Sequence, residues 1–206
     1  RGDRIAECSI KKDDYIVKYS FDNDSGGTVF DSSTNSLNGV FYGGAQYSNG
    51  ISGKCVFFNS SLDYVIIPHN AIFNLTGDFT AELWARFIDP SHQYQALLNK
   101  SDRTAAPQRI EYSLYADTSK LVYNTEDAAG NWNSGITSDA NNIFTDGWHH
   151  IAFSINQNTA SIYLDGNLSA SGIKPPVLLG TDDIYIGQYK GPQYNFRGFI
   201  DEVKIY

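Results

Sequence analysis

One stretch of nine residues constrains the fold more than any other feature of the chain. From Phe79 to Phe87, the apolar residues Phe79, Ala81, Leu83, Ala85 and Phe87 alternate strictly with Thr80, Glu82, Trp84 and Arg86. A period of two places one row on each face of an extended strand, one face for a core and one for solvent or a ligand. The same alternation returns in His149-Ile151-Phe153-Ile155 against His150-Ala152-Ser154, and in Ile162 and Leu164 against Ser161, Tyr163 and Asp165. Asn156-Gln-Asn158 and Asp165-Gly166 punctuate these runs as hairpin turns, the second with the residues a type I′ turn demands.

Further strands are expected at Tyr15–Phe21, Gly39–Ala45, Lys54–Phe58, Tyr64–Ile67, Ala96–Lys100, Ile110–Tyr115, Lys120–Asn124, Ile184–Gln188 and Phe199–Tyr206. No stretch of a dozen residues holds a helical period, and only Asn70–Asn74 and Ala140–Phe144 suit short helical turns. Many short half-apolar strands joined by Gly, Asn, Asp and Ser turns predict an all-β fold, a two-sheet antiparallel β-sandwich. No repeat and no linker divides the 206 residues, so residues 15–206 read as a single domain behind an N-terminal arm, residues 1–14.

Composition narrows the partners. Fifteen Lys and Arg against 23 Asp and Glu leave a net charge of −8, which disfavours a nucleic-acid binder, because phosphate tracking needs clustered cations. No apolar run approaches the roughly 18 residues of a membrane span. The chain opens at Arg1 and contains no Met, so it reads as a piece of a longer, extracellular or surface-attached protein with further domains. Cys8 and Cys55, the two cysteines, are compatible with one extracellular disulfide or with two unpaired thiols.

Five segments, in order, carry a family likeness: Tyr19-Ser-Phe-Asp22 with Val29-Phe-Asp31 and Asn38-Gly39; Gly53-Lys-Cys-Val-Phe-Phe58 with Tyr64-Val-Ile-Ile-Pro68; Phe79-Thr-Ala-Glu-Leu-Trp84; Trp148-His-His-Ile-Ala152 with Ile162-Tyr-Leu-Asp-Gly166; and Gly198-Phe-Ile-Asp-Glu-Val-Lys-Ile-Tyr206. Together they resemble the laminin-G-like branch of the concanavalin A-like jelly-roll superfamily, over nearly the whole chain. That resemblance implies a jelly roll and a structural calcium ion near the junction of first and last strands. The fold hosts lectins, adhesion domains, hydrolases and lyases, so function must be argued from sites.

Asp201 shares its alternation with Phe199, Val203 and Ile205, the row expected to face the core, where a carboxylate needs a cation or several N–H donors. Asp22, Asp24 and Asp31 form an acidic loop after the first strand. With carbonyls from neighbouring turns, these four aspartates could supply the 6–8 oxygen ligands of Ca²⁺. Each loop aspartate alone also suits an ordinary turn bond.

For a ligand, the polar row Glu82, Trp84 and Arg86 is joined in expectation by His150 and by Glu111, Ser113 and Tyr115 on neighbouring strands. Flat rings against sugar C–H faces, with planar charged groups on hydroxyls, are how carbohydrate is held. Trp84 could instead be a packing residue under a loop. Trp132, in Gly130-Asn-Trp-Asn133, and Tyr189 and Tyr194 sit in expected loops, where rings cap a core or contact a partner. Trp132 is the best single candidate for a ligand contact.

A catalytic reading finds little. The closely spaced carboxylates of laminarinase-like hydrolases are absent, Thr125-Glu-Asp-Ala sits in an expected loop, and no nucleophile, zinc or phosphate-loop motif occurs. The first expectation is therefore a non-catalytic carbohydrate-binding module. The second is a structural or protein-interaction domain of a surface, filament or virion protein, and the third a glycoside hydrolase or lyase.

Overall fold

The structure is a computed structural model that describes residues 14–23, 25–102, 109–126, 132–139, 143–145, 147–189 and 194–206. Among the described residues, sixteen strands build two eight-stranded antiparallel sheets. Sheet A runs β14 (Asn167–Ile173), β13 (Thr159–Leu164), β12 (His149–Asn156), β7 (Phe79–Phe87), β16 (Gly198–Ile205), β5 (Lys54–Phe58) and β4 (Gln46–Asn49). The first strand, β1 (Val17–Tyr19), pairs with the far end of the last, β16, with Val17 opposite Ile205. Sheet B runs β11 (Trp132–Thr137), β10 (Lys120–Glu126), β9 (Arg109–Asp117), β8 (Tyr94–Asp102), β15 (Ile184–Ile186), β6 (Tyr64–Ile67), β3 (Gly39–Tyr42) and β2 (Thr28–Val29). The expected two-sheet sandwich is therefore the observed fold, and Ala71–Phe73 forms the expected helical turn, of 3-10 type.

The alternation in β7 is realised residue by residue. Phe79, Ala81, Leu83, Ala85 and Phe87 are buried, and the four residues between them are half-buried. β12 lies beside it with Ile151, Phe153 and Ile155 opposite Leu83, Ala81 and Phe79. Phe153 ties the sheets together: its ring stands edge-on to Phe79 at 5.3 Å and stacks on Tyr123 of sheet B at 4.7 Å. Each such buried side chain stabilises the fold by about 1.5–3 kcal/mol. Asp165 and Gly166 close the β13–β14 hairpin at φ 50° and 78°, both left-handed as a type I′ turn requires.

Two expectations fail here for physical reasons. Trp132 begins a strand rather than lying in a loop, and its side chain falls outside the described residues. Asp201 is wholly buried, yet it does not share the core face of β16. The strand slips register between Asp201 and Lys204, and Glu202 adopts φ 49°. That bulge shifts the alternation, so Ile200, Val203 and Ile205 enter the core while Asp201 stands opposite Trp84.

Candidate functional site

The outer face of sheet A gathers most of the predicted ligand residues. β7, β12 and β16 set Trp84 opposite both His150 and Asp201, Glu82 opposite Lys204, and Arg86 opposite Phe199. These groups engage one another. Glu82 accepts hydrogen bonds from Lys204 Nζ at 3.2 Å and the Tyr206 hydroxyl at 3.2 Å. His150 Nε2 lies 3.4 Å from its second oxygen. The His150 contact first, and then Lys204, hold the Glu82 carboxyl down to about 2 against the opposing effect of burial. Lys204 also meets Glu202 at 3.3 Å. The rings pair likewise: Trp84 tilts against His150 at 5.2 Å, and the Arg86 guanidinium lies 5.2 Å over Phe199, which stacks on Phe57.

Glu111 does not belong to this face. It sits on β9 in the other sheet, wholly buried, and accepts a hydrogen bond from the equally buried Lys100. Burial raises the Glu111 carboxyl, and Lys100 opposes that rise. Lys100 also donates to the Gly180 carbonyl at 3.3 Å, so Gly180 lies against this part of the sheet.

Strand register arranges the outer face of sheet B in rows. Asp117 stands opposite Tyr94 and Lys120; next come Tyr115 with Ala96 and Val122; then Ser113 with Asn99 and Asn124. Ala96, Ile110, Tyr115, Val122 and Tyr189 form an apolar cluster separate from the main core, with Tyr94 and Tyr194 packed against it. Tyr189 is buried and its hydroxyl meets that of Ser113, while Ser113 donates to Asn99 Oδ1 at 2.5 Å. Tyr194 stands edge-on to Tyr94 and to Tyr189, each at 5.3 Å. Tyr94, Tyr115, Tyr189 and Tyr194 thereby wall a cleft of about 220 Å³, with Asp117 in its lining. Asp117 Oδ1 accepts hydrogen bonds from Gln93 Nε2 at 3.2 Å and Thr118 Oγ1 at 3.1 Å, and Oδ2 receives none from the described residues.

The expected calcium ligands divide. Asp31 is not poised for a cation: its oxygens accept from the Lys18, Ser33 and Leu37 backbone N–H groups and from the Ser33 hydroxyl, stapling the loop that follows β2. Asp24 lies outside the described residues. Asp22 and Asp201 do reach a common turn, between β4 and β5. Asp22 accepts from Lys54 N at 2.8 Å, and Asp201 from Ser52 N at 3.1 Å and Glu202 N at 2.7 Å. Glycine makes this approach possible. A Cβ at Gly50 would sit 2.2 Å from Asp201 Oδ2, and one at Gly53 would sit 2.0 Å from Asp22 Oδ1. Burial pushes the Asp201 carboxyl up to about 6, the condition a neighbouring cation would relieve. Among the described residues no cluster of three or more His, Cys, Asp or Glu could hold a metal, so carbonyls of the turn would have to complete a site. Cys55 is a buried free thiol donating to the Asn49 carbonyl at 3.3 Å, its pKa raised by burial to about 11. Cys8 lies outside the described residues.

Residues 59–206 match the family model described as the concanavalin A-like lectin/glucanases superfamily, of laminin-G type. The chain belongs to this superfamily. Solved structures with the same fold include the binding domain of Paraclostridial Mosquitocidal Protein 1, 18% identical with TM-score 0.74, the match covering 95% of this chain and 49% of that one. Another is the receptor binding domain of botulinum neurotoxin C/D mosaic serotype, 16% identical with TM-score 0.73, covering 95% and 48%. The chain thus spans about half the length of these toxin domains. Domain 4 of AbnA, a GH43 extracellular arabinanase from Geobacillus stearothermophilus, in complex with arabinotriose, is 20% identical with TM-score 0.69, covering 93% of this chain and 91% of that domain. The comparison with curated proteins finds no match. At these identities the likeness establishes the superfamily fold. The segment matched to the superfamily contains all five residues lining the tyrosine cleft and also Asp201, but not Asp22.

Proposed function

We propose that this domain is a non-catalytic glycan-binding module of an extracellular protein, and that sugar enters the tyrosine cleft on the outer face of sheet B. The observation that carries this reading is the cleft itself: the partly buried rings of Tyr94 and Tyr194 for C–H contact, backed by the buried Tyr115 and Tyr189, and one carboxylate oxygen not engaged by the described residues. The face holding Glu82, Trp84, Arg86 and His150 is the weaker candidate, because its acid, Glu82, is already shared between His150 and Lys204. A neighbouring fold solved with arabinotriose, and spanned almost end to end by this chain, supports a module of this size. The non-catalytic part of the reading rests on the cleft holding one carboxylate, Asp117, among the described lining residues, where glycoside hydrolysis needs a pair; Glu111 is wholly buried and paired with Lys100. We place a structural calcium ion at the Gly50–Gly53 turn, held by Asp22, Asp201 and turn carbonyls, where it would offset two carboxylates without touching ligand.

Titration calorimetry against a panel of neutral, basic and acidic saccharides tests this function. Millimolar or tighter binding without product release is expected, with Tyr194→Ala weakening it about tenfold. Silence across the panel would overturn it, and released product would return the domain to the enzymes. One observation favours a protein partner as the second reading. β14 is the edge strand of sheet A, and it exposes Leu168 and Ile173 (60% and 86%), a surface suited to pairing with another chain.

A further inference from the structure

Away from the cleft, the same face of sheet B carries a second group of rings. Tyr42 on β3 stacks on Tyr64 of β6 with centroids 4.9 Å apart and planes within 6° of parallel, and Tyr185 of β15 backs Tyr64 at 5.9 Å. Tyr185 is buried and Tyr64 half-buried, whereas Tyr42 is 46% exposed. We propose that Tyr42 is a second carbohydrate subsite, a flat one on which the C–H face of a neutral pyranose stacks. It shares with the cleft only the reading that the domain binds glycan. The stack supplies the first reason. One face of Tyr42 lies on Tyr64, so the ring is held flat and its other face turns toward the edge of the sheet. The strand beyond is short: Thr28 and Val29 of β2 pair with Val40 and Gly39, and Phe41 N donates to Gly27 O at 2.9 Å. Continued by one residue, that register puts Gly26 opposite Tyr42, and a Cβ at Gly26 or Gly27 would meet nothing within 4 Å. This edge therefore sends no side chain over the ring.

The surroundings supply the second reason. Elsewhere on the surface a cation covers the ring: Lys54 lies over Tyr47, Arg86 over Phe199 and Lys18 over Tyr15. Among the described residues none does so at Tyr42, and the Tyr42 and Tyr64 hydroxyls have no hydrogen-bond partner there, which leaves both for sugar hydroxyls. Thr28, Val40, Ile66 and Tyr185 share this part of the face through the strand register, and none carries a charge. A flat uncharged ring with polar ends suits a neutral pyranose, with no ion partner to favour an amine or a uronate. Two exposed apolar side chains here, Tyr42 and Val40, fall far short of the roughly 20–30 residues a side that a stable protein interface uses. The register also relates this platform to the cleft. Val40, Ile66, Tyr185, Asn99 and Ser113 form one row across the sheet, and Tyr42, Tyr64 and Tyr115 each lie two residues to the same side of it. Three strand spacings separate β3 from β8, on the order of 14 Å, so a ligand that touches both Tyr42 and Tyr94 is an oligosaccharide several rings long.

The test is titration calorimetry with the β-1,4-linked disaccharide and hexasaccharide of glucose, of xylose, of mannose and of galactose. Wild type, Tyr42→Ala, Tyr42→Phe and Tyr194→Ala are compared, each shown to be folded by cooperative melting. A hexasaccharide should bind the wild type about tenfold tighter than its disaccharide, and Tyr42→Ala should remove that advantage while leaving the disaccharide unchanged. Tyr42→Phe keeps the ring and should stay within about threefold of wild type. A hexasaccharide held equally by wild type and Tyr42→Ala would overturn the subsite and leave the glycan-binding reading intact. Loss at Tyr42→Ala with none at Tyr194→Ala would uphold the subsite and take the ligand out of the cleft. Silence from the whole set at millimolar concentration would overturn the subsite, and the wider saccharide panel above then decides whether the glycan-binding reading falls with it.

Discussion

The outer faces of the two sheets are built from similar residues, and they differ in how their acids are engaged: Glu82 of sheet A has both oxygens in contacts, whereas Asp117 of sheet B has one oxygen clear of the described residues. On sheet A, Glu82 is shared among Lys204, His150 and Tyr206, and Arg86 and Trp84 lie against rings of the same face. On sheet B, tyrosines from β8, β9 and the segment after β15 lean on one another around a cleft, and Asp117 keeps one oxygen clear of the described side chains. Polar and aromatic residues on one exposed strand face are therefore not enough to mark a binding site. What matters is the capacity left after the groups have bonded to each other.

Both faces stand on one core, and the largest expected effect removes it. Phe153→Ala should cost about 3–5 kcal/mol in chemical denaturation, because the ring bridges Phe79 and Tyr123. A change of a few tenths would mean that the sheets do not pack here. The next comparison sets one ion pair against another. Lys100→Met strands the buried Glu111 and should cost about 3 kcal/mol, the low end for breaking a buried pair, since protonation of Glu111 relieves part of the penalty. Replacing both by Met and Leu should recover most of the loss. Glu82→Gln, on the partly solvated outer face of sheet A, should cost less than Lys100→Met. Equal losses at Lys100 and Glu82 would erase the distinction between the faces.

Calcium and pH sharpen the same contrast with smaller effects. If the Gly50–Gly53 turn holds calcium, calcium at a hundredfold its Kd should add about 2.7 kcal/mol and EDTA should remove it. Asp201→Asn should blunt that response, and an unchanged melting temperature would mean that the turn holds no ion. Without calcium, Asp201 gives stability a negative slope with pH. Its carboxyl is raised from 3.8 to about 6, so between those values the folded chain keeps a proton that the unfolded chain has lost, and stability falls as pH rises. Glu82 does the opposite. Lowered from 4.5 to about 2, it contributes stability that is present above pH 4.5 and lost as pH falls toward 2. Melting curves of Asp201→Asn and Glu82→Gln should each flatten their own window and leave the other.

The sequence carried the fold well because the inner strands keep a strict period of two; β7 and β12 could be read residue by residue. It does not reveal β2, β4, β11 or β14, all at the ends of the sheets, where less burial imposes alternation. Asp201 was placed on the wrong face because a bulge at Glu202 breaks a pattern that looks continuous in the sequence. Glu111 was grouped with Glu82 because alternation gives facing within a strand but not which sheet the strand joins. The tyrosine cleft needed still more. Tyr189 and Tyr194 stood out as loop rings and Tyr115 as a strand residue, but their meeting with Tyr94 depends on β15 pairing beside β8, a long-range contact that no local signal encodes.

In the function proposed above, ligand enters between the tyrosines of sheet B and not onto the polar row of sheet A. An amide NMR titration of the isotopically labelled domain with a sugar that binds tests it most directly. Shift changes are expected at Tyr94, Tyr115, Asp117 and Tyr194, with Glu82, Trp84, Arg86 and His150 unmoved. Changes centred on Trp84 and His150, with the tyrosine cleft silent, would contradict it.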